Sequence, residues 1–270
     1  MSILAACEDP DTVATYEYSG QTWPLPQTGQ MWLEHELLTK PHLPGVFCVS
    51  TSYRAEKNPV PGRHKVIFPM FEFELKGGID ALRDFNTELL EFMGFGDKES
   101  YAYEQYDDLA KFYKTDELSH ANEWDMQKDF SPITFCENFP TFTSPFWNMK
   151  QNGPDHAHKI DVIMYGHETI GSAERSSDPK EMREKFYTIS EGGYAKKLFD
   201  LFGKERVEAE LDDFLKLDFF PRSGGGIGMT RIINASKAAG LVKYAEGMYD
   251  KAQATEKATK GALKPVGVEA

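Results

Sequence analysis

Residues 46–75 read VFCVSTSYRAEKNPVPGRHKVIFPMFEFEL, and their pattern gives the clearest indication of the fold. The run from Val46 to Ser52 is apolar and β-branched, which predicts a buried strand. Two prolines and a glycine between Lys57 and Gly62 predict a turn. A second strand is predicted from Lys65 to Leu75, where apolar and acidic residues alternate. The pair forms an antiparallel hairpin with a polar tip, and Pro69 requires a sheet edge or a bulge in its second strand.

Helices and short strands are predicted around this hairpin. Apolar residues at helical spacing run from Ile79 to Met93 and stop at Gly94. Strands in hairpins with interspersed helices predict an α+β fold with an antiparallel sheet. We expect one domain over residues 1–250 and a frayed tail at 251–270, which is rich in Ala, Lys and Thr. The remaining predicted elements are strands at 133–136 and 160–165, helices at 177–199, 205–217 and 234–250, and a helix with irregular structure within 101–130.

The composition limits the possible functions. The 270 residues are 40% hydrophobic and 27% charged, which is typical of a globular protein. The formal net charge of −13 disfavours nucleic-acid binding by phosphate neutralisation, although acidity also serves solubility. Cys7, Cys48 and Cys136 form no zinc-ligand pattern and suit a reducing cytosol. No signal peptide or long apolar run is recognisable, so we expect a cytoplasmic protein without a membrane partner.

Basic and aromatic residues surround the predicted hairpin tip. Arg54 and Glu56 leave the first strand, and Arg63, His64 and Phe68 follow the tip. Guanidinium groups match phosphate oxygens, so these residues could clamp a triphosphate while the phenyl ring stacks on a purine. The alternative is a solvated hairpin with ordinary surface charges.

A glycine-rich segment occurs near the end of the chain. Residues 223–231 read SGGGIGMTR, where glycines allow close backbone approach to a ligand and Arg231 follows at the start of a helical pattern. The segment is neither a dinucleotide fingerprint nor a P-loop. An ordinary glycine-rich turn is the alternative.

Two further segments carry candidate ligand-binding groups. Asp161 and Glu168 would meet around a magnesium ion if the chain turns at Gly166, because this metal is held by carboxylates shared with substrate phosphates. A surface carboxylate pair is the alternative. Residues 27–34 read QTGQMWLE, and their Gln and Glu side chains could contact an amino group and an amide.

Together, in this order and spacing, the segments resemble the catalytic core of class II aminoacyl-tRNA synthetases of the aspartate/asparagine branch. Residues 53–68 are similar to motif 2 (FRxE, then RH, then Phe), and 223–231 to motif 3. Residues 168–175, ETIGSAER, resemble the E-x-x-G-G/S-x-x-R element of the branch, and QTGQMWLE resembles SGQLHLE of asparaginyl enzymes. The resemblance covers roughly residues 20–235 and implies an antiparallel sheet of about six strands flanked by helices.

The resemblance implies roles for the residues at the nucleotide end. Arg54 would contact the α-phosphate and the carboxylate that is activated. Glu56 would bind the adenine amino group, and Phe68 would stack on the ring. The outgoing pyrophosphate would be held by three basic residues: Arg63, His64 and Arg231.

It also implies roles at the metal and amino-acid end. Asp161 and Glu168 match the magnesium-binding acids. Gln30 would orient the amino acid, and Arg175 would pair with its distal carboxylate. Glu34 stands where asparaginyl enzymes contact the amide.

The sequence also departs from this branch. Only about fifty residues precede the motif 2-like segment, so we expect no anticodon-binding barrel and no tRNA partner. Motif 1, which forms the dimer interface, is not recognisable in residues 1–20, although a homodimer stays possible. Ile67 replaces the glutamate that usually precedes the stacking Phe.

A synthetase core of this kind resembles the ammonia-dependent asparagine synthetases, which also carry a GGGIG-type motif 3. The preferred hypothesis is an AMP-forming ligase that uses ATP and Mg²⁺ to adenylate aspartate, or a similar amino acid, and amidates it with ammonia. Three alternatives stay open: transfer of the activated acid to a protein lysine or a small amine, a non-catalytic regulatory paralogue, and residual tRNA charging.

Overall fold

The computed structural model describes residues 2–57 and 65–242. In these ranges the strands are β1 (Thr15–Tyr18), β2 (Gln21–Pro24), β3 (Gly45–Tyr53), β4 (Ile67–Lys76), β5 (Ala102–Gln105), β6 (Ile133–Pro140), β7 (Gln151–Asn152), β8 (His156–Met164), β9 (His167–Arg175) and β10 (Arg222–Gly228). The helices are α1 (Ile3–Ala6), α2 (Gln30–Thr39), α3 (Ile79–Phe92), α4 (Tyr106–Tyr113), α5 (His120–Asp129), α6 (Pro179–Thr188), α7 (Gly193–Phe202), α8 (Lys204–Phe214) and α9 (Met229–Ala238).

The main sheet has the strand order β3-β4-β10-β9-β8-β6-β5, and β7 pairs with β8 beside it. Neighbours from β3 to β6 are antiparallel, and β5 adds a parallel edge strand. The predicted α+β fold with an antiparallel sheet of about six strands is therefore confirmed. The hairpin β1–β2 forms a separate two-stranded sheet. It was not predicted, because residues 1–20 have only weak periodicity.

The predicted hairpin at the start of the sheet is β3–β4. Pro69 lies opposite Thr51 of β3, whereas the pairing of β4 with β10 ends at Met70. Pro69 therefore has a strand partner on one side only, as its missing N–H requires. The turn predicted from Lys57 to Gly62 lies largely outside the described residues, and so do Arg63, His64 and the tail 251–270.

The glycine run is a central strand, so the alternative of an ordinary glycine-rich turn was wrong. Gly224 pairs with Glu74, and Gly226 pairs with Glu72, across β10 and β4. A Cβ atom at Gly224 would lie 1.9 Å from Glu74 Oε2, and one at Gly226 would lie 2.6 Å from Met70 Cε. Glycine is needed here because side chains of β4 occupy the space above β10, and not because the chain reverses.

The hairpin β8–β9 is longer than its sequence predicted. The strand expected at 160–165 begins at His156, and β9 was not predicted as a strand. The turn between them contains Tyr165 and Gly166, both with positive φ (48° and 81°). The resulting register places Asp161 opposite Gly171.

Most of the predicted helices are present in the structure, but their bounds often differ from the predicted ones. α3 matches the predicted helix and is followed by Gly94 at φ 89°. The single helix expected at 177–199 is divided into α6 and α7, because Ser190 and Glu191 adopt left-handed backbone angles that an α-helix cannot contain. Residues 101–130 form β5, α4 and α5, and the helix expected at 234–250 begins at Met229.

Alternation along the strands separates an apolar face of the sheet from a polar one. Phe73 of β4 and Val162 of β8 pack with Leu82 and Leu90 of α3 in one buried cluster. Glu72 and Glu74 point the other way, because successive side chains of a strand alternate between faces. A second core, around Trp147, lies among α1 and α6–α8. No helix in the described part of the chain is long and apolar enough to cross a membrane.

Candidate active site

A pocket of about 490 Å³ lies on the polar face of the sheet. Strands β4, β8, β9 and β10 contribute to its walls, together with the loop before α2 and the first turn of α9. It brings together all nine described residues that the sequence proposed for a site: Gln30, Glu34, Arg54, Glu56, Phe68, Asp161, Glu168, Arg175 and Arg231. These residues span two hundred positions of the chain, so their convergence is a property of the fold.

Arg54 lies at the end of β3 and already binds a carboxylate of the chain. Its Nη2 donates to Glu8 Oε2 at 2.5 Å, and its Nε lies 3.3 Å from Ser52 Oγ. Glu8 is held in place because its backbone N–H donates to Gln27 Oε1 at 2.9 Å. The guanidinium group of Arg54 thus lines the pocket and already binds a negatively charged oxygen there.

Arg231 occupies the first turn of α9, directly after the glycine strand. Its Nη1 donates to the backbone oxygen of Glu168 at 2.5 Å and lies 3.9 Å from Glu168 Oε2. The amino-terminal end of a helix carries a partial positive charge, which adds to that of the guanidinium. This corner of the pocket is therefore suited to anionic oxygens.

Asp161 and Glu168 approach the same point above Gly171. A Cβ atom on Gly171 would lie 3.1 Å from Glu168 Oε1 and 3.7 Å from Asp161 Oδ1. Asp161 Oδ1 is buried without a hydrogen-bond partner. Burial raises the pKa of Asp161 to about 7, Lys159 opposes this increase, and the charge of Glu168 adds to it.

This pair fits a magnesium ion that takes its other ligands from phosphates and water, since magnesium prefers hard oxygen donors and keeps several waters. In residues 2–57 and 65–242, no group of three or more His, Cys, Asp or Glu side chains is placed to hold a metal. Phosphate oxygens and water would have to complete the coordination.

Lys159 is a pocket residue that the sequence reasoning missed. Its ammonium forms a salt bridge with Asp161 Oδ2 and lies 3.6 Å from the centroid of the Phe139 ring. Burial opposes the charge, but Asp161 and Glu168 outweigh it and raise the pKa of Lys159. A signal existed, because residues two apart on a strand share a face and Lys159 precedes Asp161 by two.

The amino-acid end of the pocket centres on Arg175. This buried guanidinium lies between two buried carboxylates, with its Nε 3.5 Å from Glu74 Oε1 and 3.7 Å from Glu34 Oε1. At these distances Arg175 Nε and Glu74 Oε1 both lack a hydrogen-bond partner. Burial raises the pKa of Glu74 to about 7, the charge of Arg175 opposes this, and Glu34 adds to it.

Gln30 and Glu34 border this centre with their side chains already engaged. Gln30 Nε2 donates to Glu74 Oε2 at 2.5 Å and to the Phe73 backbone oxygen at 2.8 Å. Glu34 accepts hydrogen bonds from Arg222 Nη2 at 2.7 Å and from Asn148 Nδ2 at 2.7 Å. Both carboxylate oxygens of Glu34 therefore have partners within the protein, and its contact with a substrate amide stays a prediction.

Glu72 and Glu74 were also missed, because alternation with Phe71 and Phe73 is the usual pattern of a strand with one solvent face. Both glutamates are buried instead. Glu72 accepts the backbone N–H of Gly29 at 2.8 Å and the hydroxyls of Thr28 and Ser50. The polar face of β4 forms the floor of the pocket. The sequence pattern of the strand does not show whether such a face is buried under a pocket or exposed to solvent.

Over residues 9–238, the sequence matches the profile of a family described as tRNA synthetases class II (D, K and N). Human cytoplasmic aspartate–tRNA ligase is 28% identical over 123 residues, which are 43% of this chain and 22% of the human protein. The chain thus matches about a fifth of the length of that relative.

Solved structures show the same fold. Asparaginyl-tRNA synthetase from Pyrococcus horikoshii, complexed with asparaginyl-adenylate, has a TM-score of 0.70 and 20% identity over 88% of this chain and 59% of that one. Aspartyl-tRNA synthetase from Entamoeba histolytica has a TM-score of 0.65 and 16% identity over 80% of this chain and 49% of that one.

Proposed function

The chain belongs to the class II tRNA synthetases of the D, K and N group, and from this membership and the pocket geometry we propose that it is an AMP-forming ligase that adenylates aspartate. The observation that supports this proposal most directly is that one pocket contains all nine described candidate residues. Arg54, Glu56, Phe68 and Arg231 would bind ATP. Gln30, Glu34 and Arg175 would bind the amino acid.

The floor around Arg175 supports an amino acid as the bound partner. Arg175 lines the pocket, and its Nε lies 3.5 Å from Oε1 of the buried Glu74, with both atoms lacking a hydrogen-bond partner. We infer that this pair receives a group that carries both charges. The resemblance implies a distal carboxylate on Arg175, whereas we propose that the α-carboxylate of aspartate completes Arg175 and that its α-ammonium completes Glu74. Satisfying such buried groups stabilises the complex, and leaving them unpaired is costly.

An aspartate held in this way directs its β-carboxylate away from the floor, toward Arg54. An oxygen of this carboxylate attacks the α-phosphorus of ATP, and pyrophosphate leaves as the new P–O bond forms. Arg54 would neutralise the reacting oxygens, and Arg231 would hold the departing phosphates, since fixed charges of this kind stabilise a phosphoryl-transfer transition state. Magnesium held by Asp161 and Glu168 would neutralise further phosphate charge.

Ammonia is the acceptor that we propose. Its nitrogen attacks the carbonyl carbon of the β-aspartyl adenylate, AMP leaves, and a proton passes to water, which gives asparagine. No nucleophilic side chain is required. The net charge of −13 supports a small neutral acceptor over a polyanion such as tRNA. Transfer to another amine is the alternative that product analysis would reveal.

Amino-acid-dependent exchange of labelled pyrophosphate into ATP tests the activation step. We expect exchange with aspartate and none with succinate, which has both carboxylates but lacks the ammonium. Arg175→Lys should abolish aspartate-dependent exchange because an ammonium cannot reproduce the planar guanidinium contact. Arg183→Lys is the matched control, since Arg183 pairs with Asp212 on the surface. Exchange that does not depend on any amino acid would refute the proposal.

A further inference from the structure

The two oxygens of the Asp161 carboxylate have different partners. Oδ2 is bound by the ammonium of Lys159, whereas Oδ1 is buried and without a partner. Asp161 itself is 6% exposed, so water has little access to the free oxygen. Oδ1 is therefore the carboxylate oxygen without a partner, and we take it as the one that would bind a metal ion.

Lys159 cannot easily leave this position. Its ammonium lies 3.6 Å above the ring centroid of Phe139, which is a favourable cation–π distance, and it forms a salt bridge with Asp161, two residues further along β8. The ring and the carboxylate hold it from two sides.

Two positive charges oppose the carboxylates at the metal position before any ligand binds. Lys159 lies at salt-bridge distance from Asp161, and Arg231 lies at salt-bridge distance from Glu168. Glu123, whose charge also acts on Asp161, contacts His120 and accepts the backbone N–H of Glu168. Lys159 and Arg231 therefore weaken the attraction of these carboxylates for a free divalent ion. Nucleotide phosphates would add the negative charge that the site lacks.

We propose that Lys159 is a fixed counter-ion that excludes free divalent ions from the Asp161–Glu168 site and admits them only together with nucleotide phosphates. This rests on the proposed function, because it takes that pair as the metal site. Lys159 acts as a positioning residue: it holds Asp161 so that a single oxygen faces the ion, and it sets the charge of the site.

Binding of Mn²⁺, a paramagnetic substitute for Mg²⁺, tests this by electron paramagnetic resonance titration at pH 8 without nucleotide. Wild type should bind weakly. Lys159→Met should bind at least about tenfold more tightly, since a unit charge within a few ångströms of a partly buried ion changes affinity by that much or more. Lys159→Gln removes the charge but keeps a side-chain amide that can donate to Asp161. It should bind Mn²⁺ as tightly as Lys159→Met. Lys159→Arg should restore the wild-type value.

Two controls locate the effect. Lys150→Met removes a lysine that pairs with Glu174 outside the pocket and should leave Mn²⁺ binding unchanged. Adding Asp161→Asn to Lys159→Met should abolish the tighter binding. Misfolding cannot imitate the expected result, because it does not create a tighter metal site.

Equal Mn²⁺ affinity of wild type and both neutral variants would overturn the inference, and so would tight binding that survives Asp161→Asn. The proposed function is judged separately, by wild-type Mn²⁺ binding in the presence of a non-hydrolysable ATP analogue and by aspartate-dependent pyrophosphate exchange. Failure of both would remove the metal site and the inference with it.

Discussion

Arg222 and Glu34 form a fully buried ion pair beneath the amino-acid end of the pocket. Two guanidinium nitrogens of Arg222 lie 2.7 Å and 3.1 Å from Glu34 Oε2. The two residues are 188 positions apart and join β10 to α2. Because Glu34 also flanks Arg175, this pair contributes, together with Glu74, to the charge that Arg175 experiences.

Arg222→Met should destabilise the protein strongly, because it leaves Glu34 as a buried charge with fewer partners. We expect a loss of about 3–5 kcal/mol in the free energy of unfolding, measured by urea denaturation. Arg183→Met, which breaks an exposed pair, should cost about 0–1 kcal/mol. The double variant Arg222→Met/Glu34→Gln should recover part of the loss, and a double variant as unstable as the sum of the singles would contradict this explanation.

Arg231→Ala should reduce aspartate-dependent pyrophosphate exchange by ~10²-fold or more, since it removes a charge-assisted contact to the leaving phosphates. Arg54→Ala should have a comparable effect through the α-phosphate. Arg183→Ala serves as the surface control. Exchange at the parental rate in Arg231→Ala would mean that the nucleotide site has been misplaced.

Glu168→Gln should weaken the dependence of exchange on magnesium. The amide keeps the size of the side chain but removes its charge, so more Mg²⁺ should be needed for half-maximal rate, by about tenfold. A magnesium titration of wild type and variant measures the shift. Should the two curves coincide, Asp161 and Glu168 would not be the magnesium site.

Affinity for aspartate should increase as pH rises through 7. Burial raises the pKa of Glu74 to about 7, so Glu74 is largely protonated at pH 6 and largely ionised at pH 8. Only the ionised form attracts the substrate ammonium, so the apparent Kd at pH 6 should be about tenfold weaker than at pH 8. Isothermal titration measures it. Glu74→Gln should remove the pH dependence, and an unchanged profile in that variant would exclude Glu74 as its source.

Local patterns predicted the hairpin β3–β4 and helix α3, because apolar periodicity and turn residues act over a few positions. The candidate residues came from the order and spacing of short motifs, and nine of them were found around one pocket. The alternative of a glycine-rich turn was wrong because the space beside Gly224 and Gly226 is filled from across the sheet, by Glu74 and Met70. A sequence does not show which strand will lie beside a glycine.

The sequence also did not show which charged side chains are buried. Alternation along β4 predicts one polar face, and only tertiary structure shows that Glu74 lies under a pocket. Arg222 of β10 has its partner, Glu34, on α2, 188 positions away in the sequence, and no spacing rule predicts that contact. Lys159 and Asp161 are two residues apart on β8, so their spacing was a signal, but the burial of Asp161 was not visible in the sequence.

The decisive measurement is product analysis after incubation with aspartate, ATP, Mg²⁺ and ammonium. The α-carboxylate is proposed to lie on Arg175 and the β-carboxylate to react, so we expect asparagine and AMP in equal amounts. Chromatography against authentic asparagine and isoasparagine distinguishes the two amides. Isoasparagine would show that the substrate binds in the reverse orientation, and AMP without either amide would indicate another acceptor. Absence of aspartate-dependent AMP formation would refute the proposed adenylation of aspartate.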